Sequence, residues 1–184
     1  GEGGNVVHWN GTAWSLPESG TRRTLNAVWG SSSNDVWAVG IEGTVIHWNG
    51  LTWSSVPGAD GTLLTGVWGA GPNDVWIVGV PFRGGAAIYH WDGKALLRVG
   101  GVTSDQALNG VWGTGSNDVW AVGGVGGDVA VTLHWNGKTW LAVGNGATNP
   151  LNAVWGAASN DVWAVGGGAN APLGDSSTFV HWKG

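Results

Sequence analysis

Short apolar runs rich in Val and Trp alternate along the chain with clusters of Gly, Ser, Asn and Asp. This punctuation is typical of β-strands and turns, and the 3.6-residue period of an amphipathic helix does not recur. The run from Asp35 to Gly40 places Val36 and Ala38 on one face of a strand and Trp37 and Val39 on the other. Both faces are apolar, so we expect sheets that are covered on both sides.

The pattern is repeated four times. A Leu-Asn-Ala-Val-Trp-Gly motif or a close variant begins at Leu25, Leu64, Leu108 and Leu151, in steps of 39, 44 and 43 residues. Each motif leads to Asn-Asp-Val-Trp and, after a loop, to His-Trp, which in the first and third units and in the segment before Leu25 is followed by Asn-Gly and a further Trp. We predict four strands per unit, A to D in chain order, with a tight hairpin at Asn-Gly. Four strands in about 40 residues predict the blade of an all-β fold, the β-propeller.

We expect one propeller domain over residues 1–184, with a partial blade at 1–24 and repeats at 25–63, 64–107, 108–150 and 151–184. The partial blade holds C-like and D-like strands, whereas the last repeat ends without a D strand. We therefore predict that N-terminal strands complete the C-terminal blade and close the ring. C-like strands occur five times and A and B four times each, so one C strand is surplus. It is displaced, exchanged with another chain, or a sign of a longer array.

Composition narrows the classes of function. The chain has 16 Trp, 36 Gly and no Cys, which excludes disulfides and thiolate metal sites. Its seven basic residues form no run and the net charge is -5, so we expect no nucleic-acid partner. No apolar stretch approaches the roughly 20 residues of a membrane-spanning helix, so we expect a soluble chain without membrane insertion. The sequence does not identify the cellular compartment, and it is compatible with a bacterial protein that is secreted or associated with the cell surface.

The pattern VWG-x3-ND-VW-x-VG, followed by HWNG-x-TW, resembles the short Trp-rich blades of bacterial β-propellers. Its hairpin is similar to the Asp-box turn of sialidase-type propellers, and its Val-Trp-Gly strands resemble tectonin-type lectin repeats. The resemblance covers nearly the whole chain and implies the fold but no ligand. Because Asp-box turns are structural in their families, it implies no catalytic role for Trp53 or Trp140.

The repeated polar residues have a structural interpretation. The His residues occupy equivalent places on a circle, at about 10 Å from strand A, and cannot converge on one metal ion. We interpret them as hydrogen-bonding groups within or between blades; they are His8, His47, His90, His134 and His181. The repeated Asp residues each follow Asn in a tight loop, where we expect them to bond the backbone of the turn; they are Asp35, Asp74, Asp118 and Asp161. We predict no metal, no cofactor and no enzyme activity, since catalytic motifs are missing.

Loop lengths point to one face of the propeller. The Trp of strand B precedes the His of strand C by 10, 14, 14 and 18 residues, whereas the A–B and C–D spacings are fixed. B–C loops and D–A connections emerge at one end of the blades, which we call the loop face, and such variable segments often bind ligands. The alternative is that these variable loops are surface insertions that the fold tolerates and that bind nothing. The candidate ligand-binding residues are Glu42, Phe82, Arg83, Asp128, Asn170 and Asp175 in B–C loops, with Arg22, Arg23 and Asp105 in D–A connections.

A second candidate set lies at the start of strand A, near the axis: Asn26, Thr65, Asn109 and Asn152. These residues either bind water, an ion or a polar ligand at the mouth of the central channel, or satisfy backbone groups there. The second role is the one we favour.

The sequence thus favours a non-catalytic binding module that recognises a glycan or a protein surface with its loop face, as a monomer or a strand-exchanged oligomer. The alternative is a purely structural scaffold without a ligand, either engineered or a fragment of a longer array. The alternative is credible because the first and fourth units agree at 14 of 16 positions from LNAVWG to NDVWAVG.

Overall fold

The computed structural model describes residues 1–83, 85–102, 105–124, 130–167 and 178–184. Apart from two short 3-10 turns, Glu2–Gly4 and Ile41–Gly43, the regular structure of these residues is β. Every pair of neighbouring strands is antiparallel and adjacent in the sequence. The predicted all-β class is confirmed, and none of the described helical segments has the length and apolar character needed to cross a membrane.

Four sheets follow a short N-terminal hairpin, which consists of β1 (His8–Trp9) and β2 (Trp14–Ser15). Blade 1 comprises β3 (Leu25–Ser32), β4 (Asp35–Gly40), β5 (Val45–Trp48) and β6 (Trp53–Ser55). Blade 2 comprises β7 (Thr62–Gly71), β8 (Asp74–Pro81), β9 (Ala87–Trp91) and β10 (Leu96–Arg98). Blade 3 comprises β11 (Leu108–Gly115), β12 (Asp118–Gly123), β13 (Val131–Trp135) and β14 (Trp140–Ala142). Blade 4 comprises β15 (Leu151–Ala158), β16 (Asp161–Gly166) and β17 (Thr178–Trp182).

Strand A of each blade is interrupted by two register shifts where it pairs with strand B. In β3 the shifts lie between Leu25 and Ala27 and between Gly30 and Ser32, and the same two shifts recur in β7, β11 and β15. A bulge bends its strand and re-aims a side chain. The residue left out of the first ladder shift is Asn26 in blade 1, and its equivalents are Thr65, Asn109 and Asn152.

The hydrophobic core is divided among the interfaces between blades. Trp37, Val39 and Val45 of blade 1 pack against a set from blade 2 that includes Val75 and Ile77. An equivalent cluster joins blades 2 and 3, and a smaller one joins blades 3 and 4. Sheets with two apolar faces therefore do stack on one another, as the sequence predicts, and strands A of successive blades lie side by side.

A glycine in strand A makes room for the preceding blade. A Cβ added at Gly69 would lie 2.5 Å from Cη2 of Trp29, and one at Gly113 would lie 2.8 Å from Cη2 of Trp68. Both distances are shorter than a van der Waals contact, so a side chain at either glycine would displace the Trp ring. The strand-A Trp of one blade is thus a knob, and the strand-A Gly of the next blade is its slot.

The N-terminal hairpin does not complete blade 4 in this structure. Among the described strands, β1 and β2 pair only with each other, and β17 is the last strand of its sheet. The hairpin instead lies beside blade 1, where Val6 packs against Leu25, Ala38 and Ile46. It occupies the position of the outer half of a blade that would precede blade 1. Closure of the ring by the N-terminal strands therefore stays a prediction.

Candidate functional site

The repeated Asp and His residues form one network per blade. In blade 1, His47 Nε2 lies 2.6 Å from Asp35 Oδ1, and the Trp37 indole donates to the same oxygen at 3.1 Å. The equivalent His–Asp distances in the other blades are 2.6–2.7 Å. The carboxylate partners are thus side chains of strands B and C, whereas the sequence predicted bonds to the backbone of the turn. Four of the five His residues do hydrogen-bond within their blades, as predicted, whereas the ring of His8 in the N-terminal hairpin has no hydrogen-bond partner among the described residues.

Blades 1 and 3 add a hydroxyl to this network, since Ser31 Oγ donates to Asp35 Oδ2 and Thr114 Oγ1 donates to Asp118 Oδ2, each at 2.5 Å. Burial of the Asp35 carboxyl raises its pKa, but the hydrogen bonds from Ser31, His47 and Trp37 together outweigh burial and leave that pKa below its usual value. Asp35 is therefore an ionised acceptor whose hydrogen-bonding capacity is used within the blade. This arrangement supports a structural role for the network.

The residues predicted at the channel mouth link neighbouring blades. Asn26 Nδ2 donates to the Leu64 carbonyl at 2.8 Å, and Asn109 Nδ2 donates to the Leu151 carbonyl at 2.9 Å. Thr65 Oγ1 donates to the Leu108 carbonyl at 2.7 Å. These contacts correspond to the favoured alternative, in which strand-A polar groups satisfy the backbone. Asn152 occupies the equivalent position in blade 4 and is exposed.

The loop face carries an apolar cleft between blades 1 and 2, which we call the loop-face cleft. Its volume is about 370 Å³, and it is lined by Glu42, Gly61, Thr62, Leu63, Val80, Pro81 and Phe82. Phe82 is 95% exposed, and Glu42 forms an ion pair with Arg23 at 2.9 Å, with both side chains largely in solvent. Two of the predicted residues, Glu42 and Phe82, therefore line one cleft, and Arg23 joins them through Glu42.

Glu42 has an unusual backbone conformation. With φ of 54°, it is the one non-glycine residue with positive φ in the described part of the chain. A non-glycine residue in this region is disfavoured by about 1–2 kcal/mol because Cβ approaches a carbonyl oxygen. The turn Ile41–Gly43 imposes that conformation and leaves the Glu42 side chain exposed at the rim of the loop-face cleft.

The other predicted residues do not join this cleft. Arg22 lines a separate, more polar cleft of about 390 Å³ formed with the N-terminal segment, which includes Gly4, Glu18 and Ser19. Arg83 and Asp105 are exposed. The predicted residues Asp128, Asn170 and Asp175 lie outside the described residues.

Sequence reasoning missed the residues that form the floor of the loop-face cleft. Strands β7 and β8 are two residues longer toward the loop face than their equivalents, because Thr62 pairs with Pro81 and Leu63 with Val80. Thr62 Oγ1 also lies 2.7 Å from the hydroxyl of Tyr89, the one Tyr of the chain. The apolar Val80-Pro81 pair after the Val-Gly of strand B was the available signal, since the other units have no such pair at this point.

The described residues offer few ligands for a metal ion or a cofactor. No group of three His, Asp or Glu side chains in the described ranges could hold a metal ion. The loop-face cleft has a single carboxylate, Glu42, which is paired with Arg23. The loop-face cleft combines an exposed aromatic ring, an apolar floor and a charged rim, and these features suit the binding of a ligand.

No protein-family model matches the chain, and no curated protein matches it. Several solved structures do resemble it. YCF48 from Cyanidioschyzon merolae has a TM-score of 0.63 and 15% identity, over 98% of this chain and 64% of that one. YCF48 bound to D1 peptide has a TM-score of 0.55 and 18% identity, over 78% and 46%. The fucose-specific lectin from Aleuria aurantia has a TM-score of 0.56 and 15% identity, over 98% and 70%.

This chain therefore spans about half the length of the peptide-bound YCF48 chain and about two thirds of the other two. The identities are too low to carry a function, and the likenesses leave the Asp-box and tectonin-like resemblances undistinguished. They do confirm the predicted architecture, since these neighbours are β-propellers. The chain has the β-propeller fold.

Proposed function

We propose that the chain is a non-catalytic binding module that recognises a carbohydrate in the loop-face cleft. The observation that carries the proposal is the exposure of Phe82 above an apolar floor, beside the Arg23–Glu42 ion pair. A sugar ring presents an apolar C–H face and polar hydroxyls at its edge. Phe82 would stack on the first, and Glu42 and Arg23 would hydrogen-bond with the second. The cleft volume of about 370 Å³ falls within the usual range for small-ligand sites.

Two further observations support this choice. The strained backbone of Glu42 aims a carboxylate at the cleft rim, and strain of this kind concentrates at functional sites. A propeller of the same fold, the lectin from Aleuria aurantia, is fucose-specific. Catalysis lacks comparable support, since the Asp–His pairs repeat in every blade and Asp35 is fully engaged by its neighbours.

A glycan array and a pull-down with the intact chain test the proposal. We expect glycan binding that falls about tenfold or more in Phe82→Ala, the change expected when an anchoring aromatic is lost. Leu51→Ala is the matched control, because Leu51 is 83% exposed but lies in a C–D turn, at the opposite end of the blades.

Equal binding by Phe82→Ala and the control would contradict the cleft as the site. An empty array together with a captured protein partner that needs Phe82 would instead favour protein recognition, as in the peptide-bound YCF48 structure. Two empty assays at high protein concentration would favour the scaffold without a ligand.

A further inference from the structure

The face of blade 4 that points away from blade 3 is apolar, and none of the described residues covers it; we call it the open face. Trp155 is 62% exposed, Trp163 39%, Val165 50% and Phe179 72%. The equivalents of the last three in blade 1, namely Trp37, Val39 and Val45, are at most 1% exposed, because blade 2 covers them. The open face thus has the chemistry of a blade interface without the blade that would cover it.

A cavity of about 460 Å³ lies at the other end of the molecule, between the N-terminal hairpin and blade 1. We call it the hairpin cavity. Blade 1 contributes Val28, Val36, Trp48 and Trp53 to its wall, and the hairpin contributes Val7 and His8, among others. Val28 is 68% exposed, although its equivalent Val67 is buried at 8%.

The wall of the hairpin cavity is a socket for a strand-B Trp. The equivalents of its four blade 1 residues in blade 2 are Val67, Val75, Trp91 and Leu96, and these pack around Trp37 of the preceding blade. The ring centroids of Trp37 and Trp91 are 5.3 Å apart. In blade 3, Trp135 and Trp140 receive Trp76 in the same way, at 5.2 and 5.3 Å.

Trp163 is the strand-B Trp for which the described residues supply no such socket. Trp37, Trp76 and Trp120 are 1–3% exposed, and each contacts the strand-C Trp of the next blade. Conversely, no strand-B Trp in the described ranges enters the socket in blade 1. The two unmatched surfaces are therefore complementary to each other, residue by residue.

Two more positions show the same complementarity. The strand-A Trp knobs Trp29 and Trp68 fill slots at Gly69 and Gly113 of the next blade, whereas the three atoms nearest to a Cβ placed at Gly30 all belong to blade 1 itself. Trp155 is the exposed knob that matches this slot. The equivalents of Asn152 donate to a Leu carbonyl of the next blade, whereas the Asn152 side chain has no such acceptor in the part of the chain that the structure describes. The Leu at the equivalent position of blade 1 is Leu25.

We propose that the open face of blade 4 docks head to tail on blade 1 of a second copy of this chain, with Trp163 in the hairpin cavity and Trp155 against Gly30. A second copy is the fitting occupant because, among the described residues, the open face is uncovered and no strand-B Trp fills the hairpin cavity, and each surface reproduces one side of the three interfaces already formed. The contact is heterologous, so it leads to a ring or to an open filament.

The docking also accounts for the surplus C strand. β1 and β17 carry the same Val-His-Trp sequence, and both would lie beside β16 where the two copies meet. One of them moves aside, and the contact is made by the inner strands β15 and β16 against β3 and β4. β2 of the second copy then supplies the D strand that blade 4 lacks among the described residues.

Disulfide cross-linking tests this arrangement, and the absence of native cysteines makes its result unambiguous. A Cβ at Gly66 would lie 3.4 Å from Cγ1 of Val111 in the next blade. The equivalent pair across the docked copies is Ala153 and Val28, which is close enough for a disulfide. Both residues are exposed in one copy, so Ala153→Cys and Val28→Cys leave the fold intact.

We expect an oxidised mixture of the two single variants to form a disulfide-linked dimer that contains one chain of each. Neither variant alone should cross-link, because the docked surfaces differ. A dimer of Ala153→Cys with itself would overturn the proposal in favour of a symmetric contact. An intramolecular disulfide in the monomeric double variant would overturn it in favour of ring closure within one chain, and no cross-link at all would also overturn it.

The wild-type mass in solution gives an independent measurement. We expect association that rises with concentration and that weakens about thirty-fold or more in Trp163→Ser, since a central Trp is a typical hot spot. Phe82→Ala is the control and should associate like wild type. A mass that stays monomeric at high concentration, or Trp163→Ser association equal to wild type, would overturn the proposal. This result is separable from the glycan test, which depends on Phe82.

Discussion

Blades 1 and 4 have nearly the same sequence in strands A and B, yet their corresponding faces differ in exposure. Trp37 and Val39 are 1% and 0% exposed, whereas Trp163 and Val165 are 39% and 50% exposed. The strands pair in the same register in both blades, so the difference lies outside the sheet. Blade 2 covers the first face, and nothing in the described part of the chain covers the second. A strand with two apolar faces therefore specifies that a neighbour is needed, but the neighbour comes from elsewhere in the molecule or from another one.

The largest difference between the two faces should appear when their Trp residues are truncated. We expect Trp37→Ala to lower the free energy of unfolding by about 3–5 kcal/mol, because it leaves a cavity in the core between blades 1 and 2. Trp163→Ala should cost only about 1 kcal/mol in dilute solution, since Trp163 is 39% exposed and its contacts, with the His181 ring and the Asp161 carboxylate, lie within its own blade. Urea unfolding of both variants measures the two losses of unfolding free energy. Equal losses would contradict the idea that the covered interfaces hold the fold together.

The slot for the strand-A knob gives a second comparison. A Cβ at Gly113 would meet both the Trp68 ring at 2.8 Å and the Asp118 carbonyl at 2.5 Å. A Cβ at Gly30 would meet the Asp35 carbonyl of its own blade at 2.8 Å, and the next nearest atoms belong to Val36 and not to a Trp ring. We therefore expect Gly113→Ala to be about 2 kcal/mol more destabilising than Gly30→Ala, the usual cost of overpacking. Thermal unfolding of the two variants, in dilute solution, measures this difference.

Acid should weaken blade 1 through Asp35. The folded-state pKa of Asp35 is lowered, so its stabilising contribution is present above the unfolded pKa, near 3.8, and is lost as the pH falls through the folded pKa. At neutral pH we expect Asp35→Asn to lower the free energy of unfolding by about 1.5 kcal/mol, the scale of a hydrogen bond to a charged group. The deficit should shrink as the pH falls below about 4, which urea unfolding at several pH values would reveal.

Asp161→Asn in blade 4 is the matched variant for that experiment. Asp161 contacts Trp163 and His181 as Asp35 contacts Trp37 and His47, but Ala157 stands where blade 1 has Ser31. Its carboxylate side chain is also 45% exposed, against 10% for Asp35. At neutral pH, Asp161→Asn should therefore lower the free energy of unfolding by less than Asp35→Asn does. A deficit as large as that of Asp35→Asn would show that burial by the next blade does not strengthen the network.

Much of this fold could be predicted because its signals are local and repeated. The spacing of Trp29 and Trp37 gives the A–B hairpin, and Asn49-Gly50 gives the C–D turn. The partners of Asp35 could not be predicted, because they depend on which side chains of strands B and C face the turn. The position of the hairpin β1–β2 could not be predicted either. The same Val-His-Trp sequence occurs in the hairpin and in β17, so long-range packing decides whether the hairpin lies beside blade 4 or blade 1.

The candidate site was predictable only in outline. Loop-length variation identified the loop face, and Glu42 and Phe82 do line one cleft there. Its floor, formed by Leu63 and Pro81, results from a strand extension that is specific to blade 2, and a strand end is poorly marked in a sequence where every unit continues with glycine. Divergence from the repeat is thus the best local guide to a site in such a chain.

The smallest expected effect concerns the strand-A polar groups. Asn26→Ala should lower the free energy of unfolding by about 1 kcal/mol, because it removes the 2.8 Å bond to the Leu64 carbonyl of blade 2. Asn152→Ala should have almost no effect in dilute solution, since the Asn152 side chain, unlike that of Asn26, has no hydrogen-bond partner among the described residues. Repeating the urea unfolding at increasing protein concentration sharpens the comparison. If the open face docks on a second copy, the Asn152→Ala deficit should approach that of Asn26→Ala as association sets in, because the Leu25 carbonyl of that copy then becomes its acceptor. A deficit for Asn152→Ala that is independent of concentration would mean that the blade 4 residue is already engaged within a single chain.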